Sequence, residues 1–311
     1  MATDLDNDTA ATAPVRRRRH GQWRATSGLL ATPTIWIIVF FVVPVVMVGL
    51  YSVGALTLLR NDDYLSLEHW RFFLSSDTYL GSFWPPWQQS GLFWKSVRMS
   101  LGVSITSVLL AYPVAYLLAL IAGTRKYTLL LVIIVPFLTS YLLRVLAWRV
   151  ILGESGVANS FLETIGLIDE PVGWLFNSQF AIYLVLSYVW VPFVALPIFV
   201  SLENLDLHLL EASSDLGASR LRTFWTVTLP LSLPGVVAGF IFVFIPTIGE
   251  YVTPQIVGGP GGFMFGSAIQ SAFTAGLDWQ FGSAMAMFLI FAVAVLLVVF
   301  GRFLDVRSVA E

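Results

Sequence analysis

The chain has 311 residues, of which 57% are hydrophobic and only 12% charged, with a formal net charge of -2. A soluble domain carries roughly 25% charged residues, so the composition excludes an ordinary globular protein and points to membrane helices. No cysteine is present, which excludes disulfides, thiolate chemistry and cysteine-held metals. The histidines are His20, His69 and His208, all outside the apolar runs, so no span carries an imidazole for acid–base or metal work.

Residues 1–26 are polar and end in Arg16 to Arg19, His20 and Arg24. They are expected to form a disordered basic tail on the cytoplasmic side, with residues 27–311 as one six-span domain. The first apolar segment, 29–52, exceeds the roughly 7–15 residues of a signal-peptide core and is expected to remain as a span. A spanning helix needs about 20 apolar residues. On that basis the further spans are predicted near 97–122, 128–151, 180–202, 233–256 and 281–303. Placing the N-terminus inside puts Arg125, Lys126, Arg220, Arg222, Arg302 and Arg307 in the cytoplasm, while the loop 152–179 holds only acids. By the positive-inside rule both termini are then cytoplasmic.

The outer loop 54–94 contains Trp84, Trp87 and Trp94 among prolines. An interfacial aromatic belt and docking of an external partner are both open readings. Pro44, Pro113, Pro136, Pro192, Pro197, Pro246 and Pro254 lie within predicted spans. Each removes a backbone donor, which in lipid requires neighbouring groups or a wet cavity to satisfy the freed carbonyl. Kinked bundle packing and a gated pathway both accommodate them.

The inner loop 203–232 is too long for a simple connection. Leu205, Leu209, Ala212 and Leu216 recur at helical spacing, and Gly217 supplies a left-handed stop. Ser219 is placed to cap a second short helix through about Thr226, which Pro230 is expected to end. The predicted unit is helix, glycine turn, helix. It reads either as a packed hairpin or as a wedge for a partner's cleft.

Glu211, Ala212 and Ser213, then Gly217, then Val227, Leu229 and Pro230 resemble the cytoplasmic loop motif of ABC importer permease subunits. Ser213 stands where that motif usually has Ala and Val227 where it usually has Ile. The strings "PFLTSYLLRVLAWRVILGESGVAN", "PFVALPIFVSLENLD" and "FIPTIGEYVTPQIVGG" resemble the spermidine/putrescine branch of that family, over most of residues 95–303. The resemblance implies an all-α integral membrane protein of the type I importer permease fold in a bacterial inner membrane. It implies that Glu211, Ala212, Ser213, Asp215, Gly217, Leu229 and Pro230 belong to a loop that couples to a separate ATPase. It also implies a second, homologous permease subunit, a dimer of ATP-binding subunits that use ATP and Mg, and an external solute-binding protein that delivers a polyamine.

No nucleotide-binding loop is encoded, because Lys95 and Lys126, the only lysines, follow Trp94 and Arg125 rather than glycine. Neither ATP hydrolysis nor a bound cofactor is therefore expected of this chain. Glu250 is the one acid in a predicted span, and such groups face a protein interior or cavity. It reads either as a partner for Arg144 or as a lining of a cation's path, with Tyr251, Tyr141 and Trp148 offering ring faces. Arg144 and Arg149 could equally serve an anion. Thiamine, ferric iron and aminoethylphosphonate importers have related permeases, and an ATP-independent secondary transporter is a more distant alternative.

Overall fold

The computed structural model describes residues 31–56, 65–81 and 91–308, with 302–308 as backbone. The basic tail, Arg60, Trp84, Trp87 and the side chains of Arg302 and Arg307 lie outside the described residues. Regular structure among them is helical throughout: α1 Ala31–Ser52, α2 Glu68–Ser75, α3 Leu92–Ile121, α4 Gly123–Leu138, α5 Tyr141–Leu152 and α6 Val157–Thr164, then α7 Gln179–Glu203, α8 Leu207–Asp215, α9 Arg220–Ile248, α10 Val252–Val257, α11 Phe265–Thr274 and α12 Trp279–Ser308. Chain contacts divide the protein after Val48. Residues 31–48 belong to α1, which includes a π-helical turn at Ile38–Val42. The second part runs from Gly49 onward and is described by itself below.

Helices α1, α3, α7, α9 and α12 are each long and apolar enough to cross a membrane, and the bent pair of α4 with α5–α6 makes up a sixth candidate. In the second part, α3, α7 and α9 pack on one another as the centre of the bundle. One core cluster joins Val103 and Ala111 of α3 to Ile182, Val189, Ile198 and Leu202 of α7 and Val243 of α9. A second cluster gathers Phe73, Phe93, Phe244, Phe265, Phe281 and Met285 where α2, α11 and the start of α12 meet. Small residues permit the close approach. A Cβ on Gly235 of α9 would lie 2.5 Å from the carbonyl oxygen of Pro197 in α7, the contact type that brings apolar helices together without a hydrophobic gradient.

The structure alters three of the expected spans. The second begins at Leu92, so Lys95 lies inside α3; its ammonium reaches the carbonyls of Gly261 and Phe263 at 2.7 and 2.8 Å. The third is not one straight span over 128–151. It turns by 80° between α4 and the α5–α6 stretch, because Pro136 leads the chain into a 3-10 turn and Thr139 adopts extended backbone. The fifth, expected over 233–256, ends at Ile248. Gly249 closes α9, and Pro254 sits in the first turn of α10, where a missing N–H leaves no bond unmade. Pro254 therefore marks a new helix instead of kinking the old one.

The reading of Pro230 as a stop is also corrected. Helix α9 runs unbroken from Arg220 through Pro230 to Ile248. A π-helical turn at Phe224–Thr228 lies just before that proline and relieves the clash with the preceding turn. Elsewhere the tolerance is greater than expected: Pro192 and Pro197 both lie within the continuous α7.

Candidate functional site

Two places carry the sequence-singled residues, at opposite ends of the bundle. The Lys126–Glu203 ion pair, 2.7 Å, joins the start of α4 to the end of α7 and marks one end. The hydrogen bond from the Phe265 N–H to Ser96 Oγ, 2.8 Å, joins α11 to the start of α3 and marks the other.

At the first end stands the α8–α9 unit. Asp206 Oδ1 accepts from the His208 N–H at 3.0 Å and starts α8. Gly217 has φ +78°, the left-handed value that ends α8, and Ser219 Oγ accepts from the Arg222 N–H at 3.4 Å to start α9. The expected glycine turn and serine cap are both present. Ser213 Oγ and Thr223 Oγ1 lie 2.9 Å apart and tie the two helices into one wedge. Glu211 and Ala212 are exposed, with the Glu211 carboxylate 3.3 Å from His208 Nδ1. Leu216 is 89% exposed, Leu221 69% and Trp225 60%. The expected apolar stripe shifts: Leu205 precedes α8 and packs on the core, while Leu207, Leu209 and Leu216 face outward. Leu229 and Pro230 lie inside α9, Leu229 against the core and Pro230 exposed. Asp215 is the last, exposed residue of α8. The unit thus exposes large apolar side chains among charged ones.

At the other end the two helix breaks meet. Glu250 Oε1 accepts from the Val252 and Thr253 N–H groups at 2.8 and 3.1 Å, so a carboxylate caps α10, where the helix dipole favours negative charge. The Tyr141 hydroxyl, at the first residue of α5, lies 2.5 Å from Thr253 Oγ1. No ion pair joins Glu250 to Arg144 among the described residues. The Arg144 guanidinium lies over the Phe137 ring, 5.2 Å from its centroid, and its buried Nε and Nη1 have no hydrogen-bond partner. Tyr251 is half exposed beside Glu250. Trp148 packs on Tyr188 with centroids 5.4 Å apart and lines an apolar cleft of about 600 Å³ with Phe137, Tyr183 and Val191.

The sequence reading missed Thr253 and Gly266. A Cβ on Gly266 would lie 2.2 Å from the Gly249 carbonyl oxygen, so α11 is pressed against the α9 break and fixes it. The Gly249–Pro254 punctuation was the available signal for a helix boundary; the distant glycine that supports it left no local trace.

The family described as "Binding-protein-dependent transport system inner membrane component" matches residues 24–307. The chain is 32% identical over 267 residues to the spermidine/putrescine transport system permease protein PotB of Haemophilus influenzae, covering 86% of this chain and 90% of that one. It is 31% identical over 274 residues to PotB of Escherichia coli K12, covering 88% and 96%. Among solved structures, a bacterial alginate ABC transporter in complex with its pentasaccharide-bound periplasmic protein matches with TM-score 0.68 at 18% identity, covering 93% of this chain and 96% of that one. That identity supports the fold alone. The apolar helices long enough to cross a membrane and these matches agree, and the chain belongs to the inner-membrane permease components of binding-protein-dependent ABC importers.

Proposed function

We propose that this chain is one permease subunit of an ATP-driven polyamine importer, with spermidine and putrescine as cargo. The supporting observation is the PotB likeness over nearly the whole chain. In this reading α8 and the first turns of α9 form a wedge in the cytoplasm that docks on a separate ATP-binding subunit through Leu216, Leu221 and Trp225. A dimer of such subunits would hydrolyse ATP with Mg, and a homologous second permease would complete the pathway. An external solute-binding protein would deliver the polyamine to the opposite end.

The broken spans then form part of the path. Half-helix ends and unwound backbone at membrane depth survive only against protein or a wet cavity. Glu250 holds the α10 start with Oε1, and its negative charge beside Tyr141 and Tyr251 suits a passing ammonium. Closing of the ATPase pair would draw the wedges together and tilt α9, displacing the break at Gly249. The arrangement binds weakly at several points, which lets cargo leave as well as enter.

A second reading is an anionic cargo, favoured by the partnerless nitrogens of Arg144 at the N-terminal end of α5. Uptake of labelled spermidine into vesicles holding the assembled importer separates the two. Competition by putrescine supports polyamine transport. No spermidine uptake, with uptake of an anion instead, refutes it.

A further inference from the structure

At the end of the bundle opposite the α8–α9 wedge lies a cavity of about 420 Å³ between α2, α11 and the start of α12. Three rings form one wall. Tyr79 and Phe281 meet edge to face with centroids 5.0 Å apart, Phe72 and Phe281 at 5.5 Å, and Phe72 and Tyr79 at 6.3 Å. The polar side is built by Asp278, His69 and Ser271, with Gln280 bonded to His69. Asp278 Oδ1 accepts from the Phe281 N–H at 2.9 Å and is thereby committed to capping α12. His69 Nε2 donates to Gln280 Oε1 at 2.9 Å. A neutral ring with its proton on Nε2 presents a lone pair at Nδ1.

That Nδ1 faces Asp278 Oδ2 across 3.9 Å. With the proton on Nε2 both atoms are acceptors, at a separation too long for a hydrogen bond, and no donor among the described residues bonds to either. A primary ammonium about 2.9 Å from each would donate to both and place its alkyl stem against the rings. The other ionisable groups around it are Glu68 and Arg71 on α2, Asp77 in the turn that follows it, Tyr79 in the wall, and Lys95 of α3, whose ammonium is held by the carbonyls of Gly261 and Phe263, the latter also lining the cavity; α11 contributes none.

We propose that this cavity is a second binding site, for the primary ammonium group of an alkylamine, with Asp278 Oδ2 and His69 Nδ1 as acceptors and Phe72, Tyr79 and Phe281 as walls. It is separate from the Glu250 cluster and does not rest on the cargo being a polyamine. The probe is 1,4-diaminobutane (putrescine), titrated calorimetrically into the full chain in lipid nanodiscs at pH 8. Its uncharged analogue 1,4-butanediol is the control. The diamine is expected to bind and the diol not. Asp278→Asn keeps the α12 cap, since Asn and Asp cap equally well, and is expected to weaken binding at least tenfold. Tyr79→Leu removes a wall without touching the cap, is expected to weaken binding several-fold, and carries the test if Asp278→Asn does not fold. No diamine binding, equal binding of the diol, or binding unchanged in the folded variants overturns the proposal. So does binding that survives Asp278→Asn but vanishes in Glu250→Gln, which would belong to the translocation path.

Discussion

The hydroxyls of Tyr141 and Thr253 lie 2.5 Å apart, so the helix that starts at the break in the third span is pinned to the helix that starts at the break in the fifth. Tyr141→Phe keeps the ring and leaves Thr253 without this partner. A lost hydrogen bond in a partly buried site costs about 1–3 kcal/mol. The expected outcome is a lower thermal midpoint and several-fold slower uptake, with the complex still assembled. Size-exclusion chromatography and uptake by the same preparation check both parts.

Glu250 serves as a cap and as a charge, and two substitutions separate the roles. Glu250→Gln retains an oxygen to accept from the Val252 and Thr253 N–H groups, so stability should change by less than about 0.5 kcal/mol. Glu250→Ala removes the cap and should cost about 0.5–2 kcal/mol. Uptake should fall at least tenfold in both. If Glu250→Gln transports at the wild-type rate, the carboxylate is a cap and nothing more.

Gly217 tests the wedge. A Cβ there would meet nothing within 4 Å, but φ is +78°, so the cost of a side chain is backbone strain alone. Gly217→Val should destabilise by about 1–2 kcal/mol and reduce co-purification of the ATP-binding subunit. Gly217→Asn, which tolerates the left-handed region better, should recover most of the association. Equal association of all three proteins contradicts the docking role.

Gly266 tests how the fifth-span break is held. Gly266→Ala places a methyl 2.2 Å from the Gly249 carbonyl oxygen, a backbone clash that must move the break, and overpacking of this kind costs about 1–3 kcal/mol or more. Gly261→Ala, with nothing within 4 Å, should be nearly neutral. Thermal unfolding of the two variants side by side decides it.

How much was legible in the sequence differs between the two ends. Gly217 and Ser219 act through their own backbone conformation and side-chain reach, so the helix–glycine–helix unit could be read from residues within a dozen positions. The composition and apolar runs likewise revealed the membrane spans, though Lys95 was placed outside a helix whose neighbouring loop carbonyls it reaches. The Glu250 site was less legible. A charge paired with Arg144 or facing a cation's path was expected; no ion pair with Arg144 forms among the described residues, and two backbone N–H groups hold Oε1. Thr253 and Gly266 gain their roles from α5 and α9, which sequence spacing does not bring near. Pro230 was misread because a π-helical turn can absorb a proline that local rules treat as a stop.

The central claim, a polyamine pathway worked from the α8–α9 wedge, is tested most directly by ATP hydrolysis in the reconstituted importer with its solute-binding protein. Spermidine should stimulate hydrolysis several-fold with the wild-type chain, and Gly217→Val should abolish the stimulation while the spans remain folded. Hydrolysis indifferent to spermidine and putrescine but raised by another solute would contradict the account.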